Sequence, residues 1–497
     1  MALFPISIPP GIKRDGTEYG SKGRFYDAFL TRWTEAGTLR PVLGNRLRSS
    51  NPANVVTGSA RSIITWADNS STTVWIGIGT HSGWFIQERN GDVSDITPVG
   101  FISGYEDAAA EGGYGAGKYG DDDYGTPRPD STLIRPATQW TQDTWGEDLL
   151  GVSPDDGKIY QWTPPSTGTH GVAVSGAPTC KAIVVTPEGF LFALASTDPR
   201  TLSWSDQRDN TTWTPAPTNQ AGDFTLQTQG KIMCGKVVKG GTLILTDLDA
   251  HFATYIGGND VYSIDRVGKA CGAISRQCVA AIDTQAVWMG KKSFWLYNGG
   301  TVSPLPCDLQ DYVFSDFNTL QASKTYAVSN SVNSEVEFYY CSDASKEIDR
   351  CVIWNTKFGY WNIGRPPRTC GTDSGVLEYP VMVNADGEIF EHEVGFDYGA
   401  DTPYAETGPI ELGNGDQMVT CLGMIPDEKT SGQVSVSFKG KYEPNGSEYG
   451  FGPYALTAKT DFRIQARQLK MRYTGVVPAD WRVGDSRLDI VPGEMRG

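Results

Sequence analysis

The sequence is poor in the features that announce an enzyme, a membrane protein or a disulfide-built scaffold. Its nine cysteines are odd in number, scattered, and contain no Cys-x-x-Cys pair. That argues against a disulfide framework and against structural zinc, and for synthesis in a reducing compartment. Its four histidines, His81, His170, His251 and His392, lie far apart and fit no paired ligand spacing. No G-x-S-x-G, P-loop or strand-following G-x-G-x-x-G occurs, so the sequence predicts no catalytic residue, no cofactor site and no metal site. In Glu391-His392-Glu393 the alternation of a strand puts the imidazole on one face and both carboxylates on the other. No apolar run approaches the roughly 20 residues needed to span a bilayer, and Pro5, Pro9 and Pro10 interrupt the N-terminus. These absences predict a chain made in the cytoplasm without a membrane span.

Basic charge is also scarce. The net charge is −16, and a surface this acidic repels phosphate backbones. The deficit is uneven. Residues 1–50 hold eight Lys/Arg against four acids, a net +4 that leaves −20 on the rest. A basic arm on an acidic body is expected to dock on an acidic surface, its own or a neighbour's.

Gly (58), Tyr (22), Phe (19) and Trp (14) are plentiful, and long amphipathic helical stripes are missing. This favours an all-β chain with many turns. From about residue 60, an apolar strand repeatedly enters a polar turn and returns as an aromatic-rich strand. The hairpins fall at Val74–Gln87, Leu149–Trp162, Ala182–Leu194, Leu243–Ile256, Val287–Gly300, Glu335–Asn355 and Val381–Glu393. Such imperfect repetition predicts an irregular β-propeller of about six or seven blades, and an open sandwich accounts less well for so many hairpins.

The reading divides the chain into an extended basic N-terminal arm (1–55), a propeller (56–404) and a C-terminal β-sandwich-like module (405–497). A Gly/Tyr-rich insertion occupies 104–130, with Tyr114, Tyr119 and Tyr124 each before a Gly, and its Asp121–Asp123 run reads as a solvated charge cluster. In the last module Phe462, Ile464 and Ala466 alternate with Arg463, Gln465 and Arg467, and a phase slip near Gln468 reads as a bulge.

One stretch, WSDQRDNTTWTPAPTNQAGDF from Trp204 to Phe224, resembles the Asp-box turn of sialidase-type propellers, Ser-x-Asp-x-Gly-x-Thr-Trp. Aligned on Trp213, the Asp position is Arg208 and the Gly position is Asn210, so the match fails where it is most informative. The residues predict a structural turn instead. Asp206, Asp209 and Asn210 close Asx-turns, Trp204 and Trp213 cover the hairpin end, and Pro215 and Pro217 stiffen the exit from the turn.

Several segments together resemble one family of tailed-bacteriophage structural proteins. They are PPGIKRDGTEYGSKGRFYDAFLTRWTEAGTLRPVLG, GGYGAGKYGDDDYGTPRPD, the Trp204 stretch continuing to GKI, KGGTLILTDLDAHFATYIGG, DRVGKACGAIS, WMGKKSFWLYNGGTVSPLPCDLQDYVF and DWRVGDSRLDI. Within that group the chain is most similar to the nozzle or hub proteins of short-tailed phages, the tail tubular protein B-like or DNA-stabilisation family. The resemblance implies a non-enzymatic, propeller-based virion protein, assembled in the host cytoplasm and placed in the tail. It implies a homo-oligomeric ring, a hexamer, below the portal and its adaptor or head-to-tail connector. Such a ring lines or closes the DNA exit channel and passes phage DNA without binding it specifically; whether it also touches tail fibres or spikes stays open, since no segment predicts a fibre-binding element. On this reading Arg24, Tyr26, Arg32, Trp33 and Arg40 are inter-subunit anchors of the basic arm. The alternative is a tail-associated propeller that binds or cleaves glycans at the host surface, which requires paired carboxylates in a cleft.

Overall fold

The repeated hairpins become the blades of a seven-bladed propeller. The computed structural model describes residues 2–492 apart from 50, 52–53, 69–72, 90, 114–127, 166, 259, 412–417, 428 and 444. The Asp121–Asp123 run and its neighbouring Tyr-Gly pairs lie outside the described residues. Blade one is Ala60–Ala67, Val74–Thr80, Trp84–Glu88 and Val93–Asp95, a four-stranded antiparallel meander. Blades two to six repeat that order over Thr141–Ala173, Ala182–Thr225, Ile232–Gly268, Val279–Leu305 and Tyr326–Gly364. Blade seven has only three consecutive strands, Cys370–Thr372, Val381–Val383 and Ile389–His392. Its fourth is Asn45–Leu47, from the other end of the chain, paired antiparallel with Ile389–His392. The first strands of the blades neighbour one another in sequence, and that of blade seven meets that of blade one. Each predicted hairpin supplies two adjacent strands of a different blade.

Apolar side chains fill the space between blades. Trp66, Trp75, Trp84, Trp140 and Trp162 gather between blades one and two. Trp84 and Trp140 stack with centroids 5.5 Å apart. Gly79 makes this possible, because a Cβ there would lie 2.5 Å from Cγ of Trp140.

Polar side chains bridge the middle of the ring. Gln139, just before blade two, donates to the Thr325 carbonyl before blade six (3.3 Å). Gln277, before blade five, donates to the Trp140 carbonyl (2.6 Å). The Arg276 amide donates to Gln139 Oε1 (3.2 Å). Blade two neighbours neither blade five nor blade six, so these bonds close the propeller axis.

The C-terminal residues form a two-sheet body. One sheet orders Ala2–Ile6, Ser486–Pro492, Val419–Ile425 and Thr460–Ala466. The other orders Phe25–Phe29, Tyr404–Thr407, Gln468–Gly475, Val434–Lys441 and Tyr449–Ala455, with Ile410–Glu411 beside Gln468–Gly475. Thr460–Ala466 alternates buried and exposed along its whole length, the pattern of a strand with one face in a core. The expected bulge near Gln468 is a correction: Arg467 separates two strands that belong to different sheets.

The N-terminal segment runs extended, but it is shared between the two bodies rather than set apart from them. It gives a strand to each sheet of the sandwich and one to blade seven. Between these, the hairpin Thr31–Trp33/Leu39–Pro41 lies on blade six. Its Thr31 carbonyl accepts from Asn362 Nδ2 (2.7 Å), its Trp33 carbonyl from the Tyr360 hydroxyl (3.0 Å). Leu39 exchanges backbone hydrogen bonds with Val483 of the sandwich (3.1 and 2.9 Å). One continuous apolar core therefore runs from blades four to six through Phe25 and Trp33 into the sandwich.

Removing residues 1–47 takes away the closing strand of blade seven and two sandwich strands. Circular dichroism of the shortened chain is expected to show a broad, early melt; the full-length melting temperature would contradict the assignment of these strands as structural.

Candidate functional site at the seam between the two bodies

The Trp204 turn is a hydrogen-bonded structural element. Trp204 ends the third strand of blade three, is buried, and donates its Nε1 to the Gln220 carbonyl (2.8 Å). It packs against Phe192 and Tyr262 at centroid distances of 6.1 and 5.6 Å. Asp206 Oδ1 accepts from the amides of Gln207 (2.9 Å) and Gln220 (2.8 Å), pinning both ends of the loop. Asp209 accepts from the Thr211 amide and hydroxyl (2.9 and 2.6 Å) and from the Thr212 hydroxyl (2.7 Å). The Thr211 hydrogen bonds hold its carboxyl below the usual range. Asn210 does not close an Asx-turn of its own; its Nδ2 reaches Gln161 Oε1 of blade two (2.8 Å). Trp213 is half-buried, lies against the core between blades two and three, and donates to the Asn210 carbonyl (2.7 Å).

The five arm residues are engaged within their own chain. Arg24 pairs with Asp308 of the blade-five exit (3.6 Å) and donates to the Pro10 carbonyl (3.2 Å). Tyr26 carries the Arg14 guanidinium over its ring at 4.6 Å. Arg40 pairs with Asp480 of the sandwich (3.5 Å). Trp33 is buried, 5.1 Å from the Phe25 ring and 5.5 Å, edge-on, from Tyr360. Arg32 is buried too, with Nη2 at 2.9 Å from Glu335 and 2.6 Å from Glu393. The expectation of an inter-subunit anchor is therefore corrected for Arg32 and Trp33. Both are consumed inside the subunit, where burial and ion pairing leave nothing to offer a neighbour. Within the chain the arm docks on the subunit's own acidic residues.

The carboxylates around Arg32 were not singled out from the sequence. Glu335 and Glu337 lie two apart on one strand, so they share a face, and the alternation Glu-Val-Glu was the available signal. Glu337 accepts from the Tyr339 hydroxyl (2.5 Å) and Asn330 Nδ2 (3.4 Å). Burial pushes the Glu335 carboxyl up; Arg32 opposes this, Glu337 and Glu393 add to it, and the result is about 7. Burial raises Glu337 as well.

A second buried ion cluster spans blades one and six. Arg61 of blade one grips Glu347 through two bonds (2.6 and 2.7 Å). Lys324 Nζ, before blade six, sits 2.6 Å from Asp107 and 3.4 Å from Glu347. Burial raises the Glu347 carboxyl, but the hydrogen bonds and charge of Arg61, with Lys324, outweigh it and hold it at about 2.

The histidines stay apart. His392 is half-buried beside Arg368, whose Nε donates to its Nε2 (2.9 Å); desolvation and the Arg368 charge push the imidazole down to about 3. Its sequence neighbours point elsewhere, Glu391 to Arg46 and Arg48 and Glu393 to Arg32. Among the described residues no group of three His, Cys, Asp or Glu side chains is arranged to hold a metal ion, and no helix is long and apolar enough to cross a membrane.

No family model matches the chain, and no curated protein matches it. Solved structures with some likeness include virginiamycin B lyase from Staphylococcus aureus (TM-score 0.40, 8% identity, 71% of this chain and 97% of that one). Others are the Cps50 (Swd1) β-propeller domain of Myceliophteria thermophila (0.39, 9%, 68% and 98%) and the Pan2 WD40 domain of Neurospora crassa (0.37, 9%, 72% and 96%). These scores are low, and the propeller rests on the strand order of its seven sheets.

Four substitutions separate the roles of these residues. Trp204→Ala should destabilise by about 3–5 kcal/mol, as for other buried tryptophans, and half-buried Trp213→Ala by less; equal, near-zero losses in urea denaturation would contradict the packing. Glu347→Ala leaves buried Arg61 without its carboxylate, while Lys324 keeps Asp107, and should cost about 3–5 kcal/mol in the same assay. Lys357→Ala, which breaks the exposed pair with Glu35, should cost under about 1 kcal/mol.

Proposed function

We propose that the chain is a non-enzymatic structural subunit of a phage tail. In this reading several copies, six by family resemblance, form a ring below the portal and adaptor that lines or closes the DNA exit. The observation that carries it is the construction of the subunit. The N-terminal segment ties a propeller and a sandwich into one piece, which suits a part that bears load and serves poorly as a flexible tether between modules.

Two further features support the reading. Hydrogen bonds between non-neighbouring blades close the propeller axis, so a route for DNA would lie between subunits and not through one. The basic residues Arg24, Arg32 and Arg40 are paired with the chain's own acids, so they offer no unpaired positive charge against the chain's net −16. An acidic lumen repels phosphates and lets DNA slide past without sticking. Head-to-tail contacts between identical subunits close into rings when the rotation permits.

Electron microscopy of virions and the mass of the purified protein, alone and with its adaptor, test this. A multi-copy ring in the tail is expected. Absence from particles, or only one or two copies in each, would overturn it, and release of reducing sugar from host polysaccharide would favour the glycan-active alternative.

A further inference from the structure

The cluster around Arg32 holds more acid than base. Three carboxylates, Glu335, Glu337 and Glu393, face one guanidinium. The side chains of Arg32 and Glu335 are only 6% and 2% exposed, so a full complement of charges has no water to spread into. The other titratable groups facing it do not restore the balance. From blade six come Tyr339, bonded to Glu337, and Tyr360, bonded to the Trp33 carbonyl. On the blade-seven side, Tyr398 donates to the Val42 carbonyl and His392 accepts from Arg368. The other nearby cations are spent: Arg365 pairs with Asp27 and Arg40 with Asp480.

The cluster sits where two separate elements of the chain meet. Arg32 belongs to the Thr31–Pro41 hairpin, while Glu335 and Glu337 belong to a central strand of blade six. Beside it lies a cavity of about 100 Å³, lined by Leu30, Val42, Asn45, Met382 and Tyr398 as well as by Arg32, Glu337 and Glu393. Two polar atoms of the cluster, Arg32 Nε and Glu393 Oε2, have no hydrogen-bond partner among the described residues. That volume exceeds the roughly 10–15 Å³ of probe space a single water needs, so solvent has room to enter. Leu30 and Glu393, at its two edges, hold left-handed backbone (φ 53° and 61°), which favours glycine and stores strain in other residues.

We propose that this cluster is a proton-operated latch: with a proton on Glu335 or Glu337 the hairpin is locked onto blade six, and loss of that proton to solvent loosens it. A second negative charge then faces Glu393 across the single guanidinium. Solvating it requires water to enter through the adjoining cavity, at the expense of the hairpin's contacts with blade six. The direction follows from the excess of buried carboxylates over the one guanidinium: burial, with Glu337 and Glu393 nearby, pushes the Glu335 carboxyl up from 4.5 to about 7 against the pull of Arg32. Its contribution to docking is complete below pH 4.5, falls away between 4.5 and about 7, and is gone above. His392 has the opposite sign: its contribution is complete above 6.5 and is lost as pH falls toward about 3. It lines the same cavity but is hydrogen-bonded to Arg368, not Arg32.

Hydrogen exchange of the intact protein at about pH 5.5 and about pH 8.5, corrected for intrinsic rates, tests the latch. In the wild type, amides of 31–41 are expected to be about tenfold better protected at the lower pH, with the central strands of blade four unchanged. In Glu335→Gln and in Glu337→Gln, each permanently neutral at one position, that difference should shrink, with protection kept at the higher pH. Equal wild-type protection at both pH values would overturn the proposal. So would a wild-type pH dependence retained in both variants. Because the readout is local to one subunit, it is independent of whether the protein forms a ring.

Discussion

The buried guanidinium of Arg32 is the constraint on which the arrangement of the molecule depends. An arginine taken out of water must find carboxylates, and it finds Glu335 on blade six and Glu393 after blade seven. Those bonds fix the hairpin that carries it. The hairpin in turn fixes the strand before it, Phe25–Phe29, inside the sandwich, and the strand after it, Asn45–Leu47, at the rim of blade seven. Trp33, one residue on, adds the apolar half of the same joint by packing against Phe25 and Tyr360. Ring closure and domain docking thus share one segment of the chain. The ion pair by itself is weak evidence for stability, since a buried pair of this kind barely repays its desolvation. Its effect is on register: the hairpin fits only where its charge is met.

What was legible in the sequence was local. A blade hairpin joins strands a few residues apart, so its turn residues and flanking aromatics appear together, and each of the seven was visible. The turn at Trp204 was legible for the same reason, because Asp206 and Asp209 bond within about one turn's length of themselves. Asn210 was misjudged because its partner, Gln161, belongs to another blade. The fourth strand of blade seven was hidden more completely. Asn45–Leu47 is three residues long, exposed on both faces, and pairs with a strand more than three hundred residues away, so it carries neither periodicity nor proximity. The sandwich was half legible: its C-terminal strands alternate cleanly, but its N-terminal strands look like an irregular basic arm until they are seen beside their partners.

The same distinction governs function. The basic charge of the first fifty residues was visible, and docking on an acidic surface followed from it. Which surface depended on tertiary contacts. Because the cations are met at home, an assembly built from this subunit would meet its neighbours through its acidic exterior and its loops. On the proposed function this suits a part past which a polyanion slides, and on the proposed latch the subunit's own joint is where solution conditions act on its rigidity.

Scanning calorimetry of the full-length protein tests most directly the claim that propeller and sandwich are one cooperative unit. A single transition whose calorimetric and van't Hoff enthalpies agree is predicted. Two resolved transitions, one for each body, would contradict it.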